Sequence, residues 1–307
     1  MQAAINAAGS GGTVVLAANT SYTLPGTLSL QNLALTGSHS ELVGGAVRVG
    51  GRFALRGVTI RNAVGNGLTV ANGAIGTVEN VVITHSRDNG IETEGTTGCV
   101  AIMRSTIRDN GAYGIVNDEV DNTMYLTNNL VTGNGTRSMW SSGFNGYIKT
   151  GVFSGNTFSN NGVNCSGSGY CHGIYIDYGQ DDSGVVIEYN TLIDQPNGAG
   201  LLAKSSATIR HNTITGNVDT GLEVGQNSDP VTYQVYGNVI TGNGGHDLVE
   251  HLKGSNCSGA DCEITLHLHD NTIGDIYIGD DIVMTGGNNQ SGGTGAGSPP
   301  PPAGADP

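Results

Sequence analysis

Apolar and polar positions recur along this chain in one template, apolar-x-x-Asn-[Thr/Val]-apolar-x-x-Asn. Ile209-Arg210-His211-Asn212-Thr213-Ile214-Thr215-Gly216-Asn217 is one copy, and Val235-Tyr236-Gly237-Asn238-Val239-Ile240-Thr241-Gly242-Asn243 is another. Aligned on the fourth position, the copies fall at Leu33, Val58, Val81, Ser105, Asn129, Asn156, Asn190, Asn212, Asn238 and Asn271. The mean spacing is about 26 residues, inside the range of solenoid repeats. The first position reads Leu30, Leu55, Val78, Ile102, Leu126, Phe153, Ile187, Ile209, Val235 and Leu268. Two residues past the anchor stand Leu35, Ile60, Ile83, Ile107, Val131, Phe158, Leu192, Ile214, Ile240 and Ile273. Period-2 alternation around the anchor predicts strands rather than helices. One coil of short strands cannot bury its apolar edge, but stacked coils make continuous apolar ladders. The Asn column from Asn129 to Asn271 predicts an amide ladder inside a corner, each side chain bonding the coils above and below. The reading is all-β, a parallel β-helix solenoid of about ten coils, on the order of 50 Å long.

A second strand follows a Gly in most copies: Gly90-Ile91-Glu92-Thr93, Gly173-Ile174-Tyr175-Ile176, Gly200-Leu201-Leu202 and Gly221-Leu222-Glu223-Val224 among them. Longer gaps after Asn129, Asn156 and Asn238 place loops at about 136–147, 162–172 and 244–262. Insertions in a repeat array often mark the binding face.

Composition supports this picture. The 307 residues include 51 Gly, and Gly with Asn supplies the positive-φ corners of a fold that turns often. A hydrophobic fraction of 37% is thin for one thick core and ample for a narrow solenoid. The net charge of −14 excludes nucleic acid as a partner. No apolar run approaches a membrane span. The expected protein is a monomer. Five cysteines stand at Cys99, Cys165, Cys171, Cys257 and Cys262. The Gly/Ser-rich loops Cys165–Cys171 and Cys257–Cys262 read as two stapling disulfides, with Cys99 a small buried residue. Disulfides imply an extracellular or periplasmic location, with a leader outside these residues, since Met1-Gln2-Ala3-Ala4 lacks a signal-peptide pattern. The β-helix domain is expected over 1–285, followed by a Gly/Pro-rich linker or tail over 286–307.

The opening Gln2-Ala3-Ala4-Ile5-Asn6-Ala7-Ala8, then Gly11-Gly12-Thr13-Val14-Val15-Leu16, resembles the capping helix and first strand of the pectin-lyase-like superfamily. The repeats resemble its parallel β-helix repeats over about residues 1–285. The resemblance implies a right-handed coil with a short N-terminal capping helix. Its members include polysaccharide lyases, glycoside hydrolases, esterases, epimerases, tailspikes and non-catalytic surface proteins, so fold alone does not choose. The Asp-Pro-His-Glu signature of alginate epimerases and the Trp-x-Asp-His of pectate lyases are absent. Gly179-Gln180-Asp181-Asp182 resembles one polygalacturonase motif, but the accompanying motifs are missing.

The resemblance also implies an active face on outward positions of one sheet, roofed by long loops. By alternation, Glu92, Glu94, Asp118, Tyr175, Asp177, Lys204 and Glu223 point outward. In Gly146-Tyr147-Ile148-Lys149, burying Ile148 turns Tyr147 and Lys149 outward too. A lyase needs a base, a proton donor and a cation to offset the uronate carboxylate. Lys149, His172, Tyr175 and Asp177 are the candidate catalytic residues. Trp140, Tyr147, Lys204 and Glu94 are candidate substrate contacts, Trp140 as a stacking ring or a plug against the rod. A glycoside hydrolase would instead pair Glu94 with Asp118 or Asp118 with Asp177. Asp118, Glu119 and Asp121 could hold calcium; no cofactor is otherwise required. His211, His267 and His269 lie on outward template positions away from this cleft and receive no role. The expected function is carbohydrate-active, lyase ahead of hydrolase, on a polysaccharide. The alternatives are a non-catalytic glycan-binding or adhesive module and a structural spacer.

Overall fold

The computed structural model describes residues 1–291 except 96–97, 119–121, 167–170, 178–183, 226–229, 251–262 and 279–281. Apart from one helix, Gln2–Ala8, the described elements are strands, stacked in parallel as a right-handed β-helix. A 22-stranded sheet forms two sides of each coil, and an 11-stranded sheet forms the third, from Leu28–Gln31 to Ile276–Tyr277.

The apolar columns are the core. Leu55, Val78, Ile102, Leu126, Phe153, Ile187, Ile209, Val235 and Leu268 pair in register, none more than 2% exposed. Ile60, Ile83 and Ile107 through Ile273 form the second column in the same way. The first template copy is corrected. Leu35, Ser40 and Leu42 stack on Leu55, Val58 and Ile60, with a register shift between Thr36 and Ser40. Leu30 lies on the third side opposite Val49. The extra Gly37-Ser38-His39 breaks the spacing, and buried Leu30 and Leu33 imitate the pattern one strand too early.

Side-chain amides close two corners. In the expected ladder, Asn190 Nδ2 donates to Phe153 O at 2.8 Å and to Asn212 Oδ1 at 3.0 Å. Its Oδ1 accepts the backbone N–H and Nδ2 of Asn156, both at 2.9 Å. The ladder begins at Ser105 and continues past Asn271 to Asn289. A second ladder occupies the last template position, through Asn110, Asn134, Asn161, Gln195, Asn217 and Asn243 to the Asp247 carboxylate. The Gly before the third-side strands of the middle coils, from Gly67 to Gly221, makes room for it. A Cβ at Gly143 would lie 2.5 Å from Gly173 O and 2.8 Å from Asn161 Nδ2.

The helix covers the first coil with Ile5. Gln2 bonds the backbone N–H of Ser29 at 3.1 Å and its carbonyl at 3.2 Å, blunting the open edge of the third side. At the other end Gln290–Ser291 still pairs with Thr272–Ile273, so coil structure runs past the expected boundary at 285. Cys165 and Cys171 are bonded, with Cα atoms 5.6 Å apart. Cys257 and Cys262 lie outside the described residues. Cys99 is free but half-buried rather than buried, because it opens the strand Cys99–Met103 in the outward phase of its alternation. Among the described residues no helix is long and apolar enough to cross a membrane.

Candidate functional site

The third side presents two outward columns over the middle coils. Val116, Asn145, Tyr175, Leu202 and Glu223 are direct neighbours from strand to strand. Two residues further on come Asp118, Tyr147, Asp177 and Lys204. Their order is held by backbone bonds from Tyr147 N to Asn117 O, Asp177 N to Gly146 O and Lys204 N to Ile176 O, at 2.9 to 3.0 Å.

Four of the expected residues meet here. The Tyr175 hydroxyl and Asp177 Oδ1 are 3.1 Å apart. Lys204 Nζ stands 5.3 Å from the centroid of the Tyr175 ring, a cation–π distance. The His172 ring meets Tyr175 edge-on, with centroids 5.7 Å apart. His172 Nδ1 accepts the backbone N–H of Ala199 at 3.1 Å, so a neutral ring carries its proton on Nε2. Although outward in phase, Tyr175, His172 and Lys204 are only 2–3% exposed, so the group is covered rather than open. Asp177 is half-buried, and its carbonyl accepts the Ser205 hydroxyl at 2.7 Å.

Lys149 does not join them. The third-side strand of its coil is Phe144–Gly146, three residues before the expected phase, with Gly143 rather than Gly146 as the Gly that precedes it. Ile148 is buried as expected, but the chain has already turned the corner. Lys149 is exposed and its backbone N–H bonds Asn122 O, just ahead of Thr150–Ser154 in the other sheet. Tyr147 keeps its outward place beside Asp177.

The residue that takes the vacated outward position is Asn145, which the sequence reading missed. It is 8% exposed, and its Nδ2 has no hydrogen-bond partner among the described residues. The signal was present, since Gly143-Phe144-Asn145 matches Gly173-Ile174-Tyr175.

The other candidates scatter. Glu94 is two coils from Arg48 in space and bound to it by two hydrogen bonds of 2.8 and 2.6 Å. Those bonds hold its carboxyl below the usual range, against the opposing effect of burial. Glu94 is therefore an ionised, paired group and a poor proton donor. Asp118 is exposed, while Glu119 and Asp121 lie outside the described residues. Among the described residues no three His, Cys, Asp or Glu side chains are grouped to hold a metal. Trp140 is 42% exposed. Its loop is tied to the disulfide loop by Ser166 N to Met139 O and Asn164 N to Gly135 O.

Comparisons with known proteins bear on the fold. The A-module of the Azotobacter vinelandii mannuronan C-5 epimerase AlgE4 superposes with a TM-score of 0.71 at 20% identity, covering 95% of this chain and 91% of that one. Pectate lyase Pel9A gives 0.52 at 15% identity, over 96% and 76%. The catalytic unit of an alpha-1,3-glucanase from Streptomyces thermodiastaticus gives 0.54 at 17% identity, over 96% and 65%. No curated protein matches the sequence. A family model described as "Right handed beta helix region" matches residues 45–207. With that match over more than half its length, and with parallel coils stacked along both sheets, the chain belongs to the right-handed β-helix family.

Proposed function

We propose that the chain acts on a polysaccharide at the outward face of the third side, as a lyase in preference to a glycoside hydrolase. The observation that carries the reading is the Tyr175–Asp177–Lys204 group, with Asn145 one coil away and its amide nitrogen without a partner among the described residues. In β-elimination, the Lys204 ammonium offsets the uronate carboxylate and acidifies the adjacent C5–H. Tyr175, passing its own proton to Asp177, takes the C5 proton. The electron pair forms the C4–C5 double bond as the C4–O bond breaks; the leaving oxygen takes the proton that Asp177 received, and His172 Nε2–H donates a hydrogen bond to that oxygen. Asn145 donates to a substrate oxygen. A hydrolase needs one carboxyl held protonated, and the Arg48 pair takes Glu94 out of that role.

The neighbours' names include epimerase, pectate lyase and glucanase, which supports a carbohydrate substrate. The Cys165–Cys171 bond supports an extracellular or periplasmic location. No cofactor is needed for this scheme; calcium at Asp118, Glu119 and Asp121 would serve only as an accessory bridge to an acidic chain. A panel of uronans and neutral glycans, read by absorbance of the unsaturated product and by reducing ends, tests the reading. Tyr175→Phe and Lys204→Ala should each lower the rate about 100-fold or more. Reducing ends without the unsaturated chromophore would replace the lyase with a hydrolase. The burial of Tyr175 and Lys204 favours a second reading, a non-catalytic glycan-binding module. It predicts retention on a glycan with no product of either kind.

A further inference from the structure

Across the coil from that face, at the corner of the first amide ladder, four rings stand on four successive coils. Tyr189 and His211 are stacked, with centroids 5.0 Å apart and planes 16° apart. His211 meets Tyr236 edge-on at 5.7 Å and 86°, and Tyr236 stacks on His269 at 4.9 Å and 5°. The two stacked pairs are perpendicular, while successive rings are displaced along the solenoid axis. Arg210 lies across the column, bonding Glu188 at 2.7 Å and the Tyr236 hydroxyl at 2.8 Å.

One of these rings, Tyr189, is placed against local preference. Tyr189 and His211 have φ of 55° and 54°, in the left-handed region that the corner demands of the residue before the ladder. Asn80, Asn128, Gly155, Gly237 and Asp270 fill the equivalent place in other coils, and all tolerate that conformation better. Arg104 is also bulky there, but its guanidinium is paired with Glu79. Tyr189 is 59% exposed, so burial does not explain it. Its hydroxyl makes no hydrogen bond with the described residues. A strained backbone carrying an exposed ring points to a contact outside the chain.

We propose that the Tyr189–His211–Tyr236–His269 column is a second carbohydrate-binding surface, separate from the third side, which takes the pyranose rings of a polysaccharide chain running along the axis. Stacked coils repeat at about 4.8 Å, so such a chain meets one protein ring per coil. Aromatic faces suit the C–H faces of pyranoses, and the exposed Tyr189 hydroxyl and the Glu188 carboxylate suit their hydroxyls. Charge does not select the occupant: Arg210 is paired with Glu188 and His269 with Asp270. Retention is therefore insensitive to salt. Polysaccharide as the ligand class is shared with the proposed function; the surface and its residues are independent of it.

Affinity electrophoresis through gels containing neutral and acidic polysaccharides tests the proposal. The parent is retarded, and Tyr189→Asn with His211→Asn weakens retention tenfold or more. The double variant does not melt lower by more than a few degrees, since Asn suits the left-handed corner. Single Tyr189→Asn leaves the His211–Tyr236 contact in place and shows a smaller loss in the same direction. Tyr125→Ser, at an exposed tyrosine outside both the column and the third side, is retained like the parent. Parent-like retention of the double variant, retention that vanishes at high salt, or a parent that no polysaccharide retards overturns the proposal. Product assays on the same proteins separate the two readings. Product from the parent with unaltered retention of the double variant sinks the platform alone. Lost retention with no product from any protein sinks the catalytic site alone.

Discussion

Asn190 shows what one side chain carries in this fold. It donates to Phe153 O and Asn212 Oδ1 and accepts twice from Asn156. Val58 and Val81 fill the same column nearer the N-terminus, so the space accepts an aliphatic side chain; the hydrogen bonds are what an aliphatic replacement removes. Asn190→Leu leaves buried donors and acceptors unsatisfied and should cost about 3 kcal/mol or more. Urea unfolding measures it, and a loss below about 1 kcal/mol would show that the ladder relaxes onto other partners. Ile214 is fully buried in the second apolar column. Ile214→Asp puts an unpaired charge there and should destabilise by several kcal/mol. A melting temperature within a degree or two of the parent would contradict that register.

At the scale of elements, the inserted loops and the Gly column matter most. The Cys165–Cys171 bond closes a short loop, so Cys165→Ser with Cys171→Ser should cost about 2 kcal/mol. Calorimetry with and without reductant checks it, and equal melting temperatures would mean that the bonds from Asn197 Nδ2 to Gly162 O and from Ser166 to Met139 hold the loop alone. Non-reducing peptide mapping also tests the expected Cys257–Cys262 pair. Gly143→Ala drives a methyl into Gly173 O and the second amide ladder. It should destabilise more than the same change at Gly26, where a Cβ meets nothing. The segment around Gly143 is also where the site was misread. Gly143 and Gly146 both precede an apolar residue, and local alternation admits either phase. Pairing of Asn145 with Val116 and Tyr175 decides it.

For the whole molecule, charge sets the response to acid. Hydrogen bonds from Arg48 hold Glu94 below its usual range. Burial alone would raise Asp275, but bonds from His246 and the Asp247 backbone N–H hold it low. Carboxyls lowered in the folded state stabilise it fully above their unfolded pKa, and that contribution is lost as pH falls through the lowered values. The melting temperature should therefore hold near neutrality and drop below about pH 4. Asp275→Asn should make that drop shallower; an unchanged acid limb would remove Asp275 from the account. The sequence by itself determined the stacked coils, both core columns and the first amide ladder, because each depends on whether a residue is buried once per turn of a regular repeat. It also carried the Tyr175–Asp177–Lys204 neighbourhood, whose strands follow an unambiguous Gly. Only the tertiary structure decided that Asn145 and not Lys149 stands beside Tyr175, that Arg48 claims Glu94, and that Tyr189 stacks on His211 and Tyr236 on His269. Those outcomes depend on which residues of different coils fall side by side, and irregular insertions erase that register from the linear pattern.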